Sequence, residues 1–197
     1  MDGRGFLPFI GGEASSIECR ALAAKRCLGV ADRAALDPHA AARRCGIQLF
    51  GEEFFERFSA EERQQVLQRG AARWSAGTII DGERVAIVLN PTHDPVRQRA
   101  TLAEELAHIV IGHPPSVIDT ATGMRTYDGE MESEAYGVGA AMLMPYGQLF
   151  TLCKRGTAVA EIADRYRLSV PFTNYRINRC GLRRMYSNRA RGARRAG

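Results

Sequence analysis

The stretch from Asp94 to Gly112 most constrains this chain, because it predicts a helix whose second half is almost entirely apolar yet carries charged groups. Asp94-Pro95 is the pattern of an N-cap followed by proline at the first helical position, and Gly112 followed by prolines predicts the helix end. A helix that is apolar all round is usually buried. Burying a carboxylate costs several kcal/mol unless something pairs with it, so Glu104 and Glu105 need a partner.

His108 falls on the same side of this helix as the two glutamates. At about 100° per residue, Glu104 and His108 are about 40° apart, and Glu105 lies about 60° from His108 on the other side. Two carboxylates and an imidazole within one sector of a buried helix predict a bound cation.

Three other interpretations of these residues stay open on the helix alone. Glu104 could close a capping box with Thr101, although a helix start at Asp94-Pro95 places Glu104 well inside the helix. His108 could be a core histidine with satisfied hydrogen bonds, and the glutamates could pair with Arg97 or Arg99.

A di-iron helix bundle is disfavoured. Glu105 and His108 have the spacing of the carboxylate–histidine pair in such bundles, which need a second pair. None of the other three histidines has a glutamate three residues before it.

The remaining elements follow from caps, turns and alternation. A helix is expected in residues 15–30, closed by Gly29, and another begins at Asp37-Pro38. Ser59 and Glu62 have capping-box spacing. Further elements are a hairpin turning at Asp81-Gly82, a helix over 131–144 that Pro145 ends, and two short helices separated by residues 167–169.

Composition indicates an ordinary globular chain of 197 residues with reduced cysteines. The five cysteines are odd in number and form no CxxC pair, and we find no secretory signal or membrane-spanning run, so we expect a cytoplasmic protein. The net charge of +5 comes from the C-terminus: its last 17 residues hold six arginines and no acid, which leaves the rest at −1. We expect a disordered tail over 183–197 and a flexible start over 1–13.

Several segments together resemble the ImmA/IrrE family of metallopeptidases. They are "AIVLNP" at the end of the hairpin, "RATLAEELAHIVIGH" where the family has its zinc helix, "ESEAYGVGAAMLMP" where a glutamate helix ends in Leu-Leu-Met-Pro, and "IADRYRLSVPFTNYRI" as a C-terminal helix pair. The resemblance covers roughly residues 20–182. Members are small cytoplasmic proteases of bacteria and phages that often act on a transcriptional repressor.

The resemblance implies a role for each matching residue. His108 and Glu132 would be metal ligands and Glu105 the general base, with Glu134 as the alternative ligand in a shifted register. Glu104 stands where most members have histidine, and the chain resembles a branch of the family with Glu-Glu at these two positions. His113 is a further candidate ligand or partner of a ligand. The strand holding Val85, Ala86, Ile87 and Val88 resembles the edge strand along which such proteases pair their substrate.

The glutamate at position 104 changes the expected metal chemistry. The family implies zinc, but a second carboxylate shifts the preference towards harder ions such as Mn²⁺ or Fe²⁺. It also brings the charge of metal plus ligands near zero, which makes bound water less acidic and disfavours fast proteolysis.

Nucleic-acid binding is a second hypothesis for the C-terminal region. The helix pair has helix-turn-helix spacing, and Arg176, Arg179, Arg183 and Arg184 are candidate contacts. Pro171 and Phe172 would be poor base readers at the front of a recognition helix, so DNA binding is not favoured.

The sequence and the resemblance together predict an α+β fold. A zincin-like core over 14–150 would contain N-terminal helices, a small antiparallel sheet, the metal-site helix and the glutamate helix, and a helix-turn-helix-like pair over 151–182 would pack on it. The expected function is metal-dependent cleavage of a partner such as a repressor or toxin–antitoxin-type regulator. The alternative is an inactive member acting as a sensor or a protein- or DNA-binding module.

Overall fold

The computed structural model describes residues 12–71, 74–114 and 128–186, and these form a mixed helix and strand fold. The helices are α1 (Gly12–Cys27), α2 (Pro38–Arg44), α3 (Ala60–Gln64), α4 (Pro95–Ile111), α5 (Gly129–Leu143), α6 (Tyr146–Arg155), α7 (Val159–Tyr166) and α8 (Val170–Arg179). The strands are β1 (Gln48–Phe50), β2 (Ala76–Asp81) and β3 (Arg84–Leu89). The expected α+β class is confirmed, and none of the helices within these ranges could cross a membrane.

The N-terminal side-chain caps predicted from the sequence are present in α2 and α3. The Asp37 side chain accepts from Ala40 N at the start of α2, and Ser59 and Glu62 form a reciprocal capping box at the start of α3. Ser169 caps α8 after Arg167 adopts left-handed backbone, which makes the predicted break between α7 and α8. A single π-helical turn, Gln65–Arg69, continues α3.

The small sheet is mixed, which corrects the prediction of an antiparallel one. The β2–β3 hairpin is antiparallel and turns at Gly82, whose φ is 57°. The short strand β1, followed by a 3₁₀ segment (Glu52–Arg57), pairs in parallel with the other side of β3. The order is therefore β1-β3-β2, with β3 in the centre.

Helix α4 lies at the centre of the fold. It packs along α5 and also contacts α1, α2 and the strands β2 and β3. Leu102, Ala103, Leu106 and Ala107 are fully buried on it, so the helix is as enclosed as its composition predicts. The charged side chains on its remaining side are consequently held in fixed surroundings.

The two chain ends only partly fall within the described residues. Residues 1–11 and 187–197, which include most of the predicted flexible start and arginine-rich tail, lie outside them. Residues 183–186 form a helical turn, and Tyr186 Oη accepts a hydrogen bond of 3.2 Å from Val159 N. All five cysteines are free thiols, with Cys153 and Cys180 buried.

Candidate metal centre

The ends of α4 fix where its three ionisable residues lie. Asp94 Oδ1 accepts from Arg97 N at 2.9 Å, and Gly112 ends the helix in left-handed backbone with φ 82°. The chain therefore reverses after Ile111, and His113 N donates to His108 O at 3.0 Å. This reversal returns the His113 side chain to the helix that it follows in sequence.

Helix α5 brings two further carboxylates to α4. It begins at Asp128, whose side chain accepts from Glu130 N and Met131 N. At Gly139 the two helices touch so closely that a Cβ there would lie 3.0 Å from the Ala103 carbonyl group and 3.0 Å from Glu104 N. This contact sets the register in which Glu132 faces α4.

Glu104, His108 and Glu132 form the candidate metal centre. Each offers one ligand atom, and these atoms all lie within 4.8 Å of one another. His108 Nε2 lies 3.7 Å from Glu132 Oε2, too far for a hydrogen bond, and all three side chains are half-buried. Ligands about 2.0–2.2 Å from one ion have separations compatible with this cluster, so the donor set fits a divalent cation. The structure thus brings together the three residues named as ligands from sequence.

Glu105 lies beside the centre and faces the sheet. Its Oε2 accepts a hydrogen bond of 2.5 Å from Thr78 Oγ1 on β2. The four-residue spacing of Glu104 and His108 leaves Glu105 on the flank of the pair. A half-buried carboxylate that is oriented by a hydroxyl has the position of a general base.

Arg97 and Arg99, the two arginines considered as partners of these glutamates, donate hydrogen bonds to other parts of the fold. Arg97 donates to Ser75 Oγ at 3.2 Å, and Arg99 donates to Leu36 O at 2.8 Å. Burial lowers the pKa of the Arg99 guanidinium. The capping-box alternative for Glu104 fails, because α4 begins at Pro95 and Glu104 lies inside the helix.

His113 and Glu134 form a second layer behind His108. His113 Nδ1 lies 2.9 Å from His108 Nδ1, and His113 Nε2 lies 3.3 Å from Glu134 Oε2. Glu134 in turn forms an ion pair with Arg20 of α1. Burial and the neighbouring His108 lower the pKa of His113. Both residues contact the centre through other side chains and do not belong to the three-residue group.

The predicted substrate strand needs correction. Val85, Ala86, Ile87 and Val88 lie on β3, which β1 and β2 flank, so these residues are not on an edge strand. Within the described residues, β2 is the strand on the Glu105 side of the sheet with one unpaired backbone edge. Its Ile79 and Ile80 are 46% and 50% exposed.

One predicted nucleic-acid contact is also wrong. Arg176 is 3% exposed, and its guanidinium donates to Met144 O, Cys180 Sγ and Glu18 Oε1 in the interior. Arg179 is half-buried, Arg183 donates to Asn174 Oδ1 at 3.1 Å, and Arg184 is exposed. Because Arg176 joins α8 to α1, it serves the fold and cannot reach DNA.

Sequence reasoning missed Thr78, Arg20 and Tyr136 at this site. Tyr136 borders Glu104 in a cavity of about 500 Å³ whose wall includes Phe172, and burial raises the pKa of Tyr136 to about 12. In the hairpin, Thr78 pairs with Ile87, and this register turns the threonine side chain towards α4. The register is fixed only in the folded hairpin, so the sequence alone did not reveal the contact.

One comparison with known proteins identifies a family for the part of the chain that carries this site. The family described as the IrrE N-terminal-like domain, Peptidase_M78, matches residues 59–178, which is more than half of the chain. A comparison with curated proteins yields no match. The matched region contains α4, α5 and the β2–β3 hairpin, and therefore the whole candidate metal centre. The chain belongs to the IrrE N-terminal-like, or ImmA/IrrE, family of peptidase domains.

Proposed function

We propose that this protein is a metal-dependent endopeptidase that regulates a partner protein by cleaving it. The observation that carries the proposal is the Glu104–His108–Glu132 group with Glu105 beside it. Membership of the family indicates a metal-dependent protease-like or regulatory function. A zincin-like arrangement of sheet, metal helix and glutamate helix is part of this proposal.

Glu104, His108 and Glu132 would hold the cation. Two carboxylates and one imidazole suit Zn²⁺, and they suit Mn²⁺ or Fe²⁺ better than a set with two imidazoles does. When bound, the ion supplies Lewis-acid activation of water and of the peptide carbonyl.

Glu105 would move the proton during hydrolysis. As general base it takes a proton from the attacking water while the water oxygen bonds to the peptide carbon, and the proton then passes to the leaving amine as the C–N bond breaks. The Thr78 hydroxyl holds the carboxylate towards the sheet through its 2.5 Å hydrogen bond. The base is therefore positioned before substrate arrives.

The substrate would bind in extended form along β2. This strand has an unpaired backbone edge within the described part of the chain, and it contacts Glu105 directly through Thr78. Adding a peptide as a further strand would align its backbone with the sheet next to the base. Exposed Ile79 and Ile80 offer apolar contacts to its side chains.

The partner would be a transcriptional repressor or a toxin–antitoxin-type regulator, by analogy with the family. The alternative function is that of an inactive sensor or binding module, with DNA contact through the exposed Arg184 and the arginines that follow it in sequence. One observation favours it: Glu104 adds a carboxylate to the centre and so reduces the acidity that an ion imparts to water.

The Glu105→Gln variant separates these two functions. Glutamine keeps the size and the hydrogen bond to Thr78 but cannot take a proton, so cleavage falls by about 10²- to 10⁴-fold while metal content stays unchanged. Cleavage would be followed by mass spectrometry on a peptide library and in cells. If the variant cleaves and regulates like the wild type, the endopeptidase proposal fails.

A further inference from the structure

We infer that His113 and Glu134 are positioning residues that fix the tautomer of His108, so that its Nε2 faces the metal centre with a free lone pair. The inference rests on the proposed metal centre. In this role, His113 after α4 and Glu134 on α5 prepare the ligand His108 and do not bind the ion themselves.

The contact between the two histidines requires an ordered proton. Their Nδ1 atoms are 2.9 Å apart, and the rings meet edge to face with centroids 4.9 Å apart. A hydrogen bond between two ring nitrogens needs one donor and one acceptor, so only one Nδ1 carries the shared proton. There are therefore two arrangements to compare.

In the first arrangement His108 Nδ1–H donates to His113 Nδ1. His113 then carries its proton on Nε2 and donates it to Glu134 Oε2, which lies 3.3 Å away. His108 Nε2 is left as a lone pair, and it is the atom that lies 3.7 Å from Glu132 Oε2 in the donor group. Both ring protons then have an acceptor within hydrogen-bond distance, and the free lone pair of His108 Nε2 faces the position where the cation would bind.

In the second arrangement the neutral His113 donates from Nδ1, and two contacts become unfavourable. Its Nε2 would then present a lone pair to the Glu134 carboxylate, which can only accept. His108 would carry its proton on Nε2, which blocks that nitrogen as a ligand. Glu134 therefore selects the first arrangement, and metal-binding histidines are commonly held in this way by a partner on the other nitrogen.

Helix α1 stabilises the outer end of this arrangement. Arg20 forms an ion pair with Glu134 and holds its carboxylate in place. The helix itself is docked by the buried Glu18–Arg176 ion pair and by the contact of Ile17 with the α5 backbone at Gly137. Residue 20 lies outside the segment that matches the family, so α1 extends the site beyond the matched domain.

The direct test is ¹⁵N NMR of the histidine rings in metal-free wild-type protein. The inference predicts that His108 shows a protonated Nδ1 and an unprotonated Nε2, and that His113 shows the opposite pattern. This measurement does not require metal binding or activity. A protonated Nε2 on His108 in the wild type would overturn the inference, even if the proposed function holds.

Metal affinity of matched variants gives the second test. His113→Leu removes the acceptor, whereas His113→Asn can place an amide oxygen near the position of Nδ1. We expect Zn²⁺ and Mn²⁺ to bind His113→Leu about 10–100-fold more weakly than wild type, and His113→Asn to recover most of the loss. Glu134→Ala should weaken binding and Glu134→Gln should retain most of it, since the glutamine oxygen still accepts.

His39→Asn serves as the control because His39 lies on α2, away from the centre. Circular dichroism and thermal melting would establish that each variant is folded. If the wild type binds metal and His113→Leu binds it equally tightly, the inference fails while the proposed metal centre stands. If the wild type binds no metal, the proposed function fails, and the NMR pattern alone decides the inference.

Discussion

Thr78 Oγ1 donates a 2.5 Å hydrogen bond to Glu105 Oε2 and so joins the edge strand of the sheet to the proposed general base. The two residues are 27 positions apart in the chain and meet only because β2 packs against α4. This contact links the place where a peptide would pair with the group that would move the proton.

Replacing Thr78 by valine tests that link. Valine keeps the shape and the strand propensity but removes the hydroxyl, so Glu105 loses its orientation and a hydrogen bond to a charged group worth about 1.5–3 kcal/mol. We expect kcat on a library-selected peptide to fall by about tenfold or more, with metal content unchanged. Thr78→Ser is the matched control and should keep most activity; equal rates for all three proteins would contradict the role of Thr78.

Replacing Glu104 by histidine tests how the carboxylate at this position sets metal choice. A second imidazole is a softer donor than a carboxylate, so the ratio of Zn²⁺ to Mn²⁺ affinity should rise. Competition titrations of the wild type and the variant would measure this ratio. Glu105→Gln, one position away and outside the donor group, should leave it unchanged; an unchanged ratio in the Glu104 variant would argue against ligation by Glu104.

Gly139 should be intolerant of any side chain. A Cβ there would meet backbone atoms of Ala103 and Glu104 at 3.0 Å, and backbone yields less readily than the end of a side chain. Gly139→Ala should therefore lower the free energy of unfolding by about 1–3 kcal/mol and weaken metal binding by displacing α5. Gly147→Ala is the matched helical control, because a Cβ there meets nothing within 4 Å; chemical denaturation of both variants should separate them. Equal stability of the two variants would show that α5 can move away from α4 at little cost.

The buried pair of Glu18 and Arg176 should contribute strongly to stability. Their side chains are 6% and 3% exposed, so removing one leaves the other charged and buried. Arg176→Ala should destabilise the protein by about 3–5 kcal/mol, and Glu18→Leu with Arg176→Met should recover part of this loss. Arg184→Ala, an exposed arginine, should change stability by less than about 0.5 kcal/mol. If Arg176→Ala instead weakens DNA binding without loss of stability, the burial assigned to Arg176 is wrong.

Some of the helix starts and the hairpin were predictable because they depend on local chemistry. The Asp94-Pro95 helix start and the Ser59–Glu62 capping box act over a few residues and form as expected. The hairpin predicted at Asp81-Gly82 also forms, with Asp81 as the last residue of β2 and Gly82-Glu83 as its loop. The grouping of the three candidate ligands was also predictable: helical spacing places Glu104 beside His108, and the resemblance supplied Glu132.

The errors concern contacts between distant parts of the chain. Strand β1 has only three residues, and its parallel pairing with β3 connects Gln48 to Ala86. That pairing turns β3 into the central strand and transfers the edge to β2. Helix α6, which begins after Pro145 and ends at Gly156, is missing from the prediction. The reason is that Pro145 both ends α5 and precedes α6, and the sequence pattern indicates only the first of these.

Arg176 illustrates the same limit. Its position on α8 is compatible with an exposed, DNA-facing side chain, and nothing nearby in sequence indicates otherwise. Its burial depends on Glu18, which lies 158 residues away in the chain. Only the docking of α1 against α8 reveals that the guanidinium is internal.

The most direct test of the central claim is elemental analysis of protein purified without chelator and without a nickel column. Wild-type protein should carry about one divalent ion per chain, and Glu104→Ala, His108→Ala and Glu132→Ala should each lose it while remaining folded. Glu105→Gln should keep the ion. Wild-type protein that takes up neither Zn²⁺ nor Mn²⁺, or a Glu104→Ala variant that retains a full equivalent, would contradict the assigned metal centre.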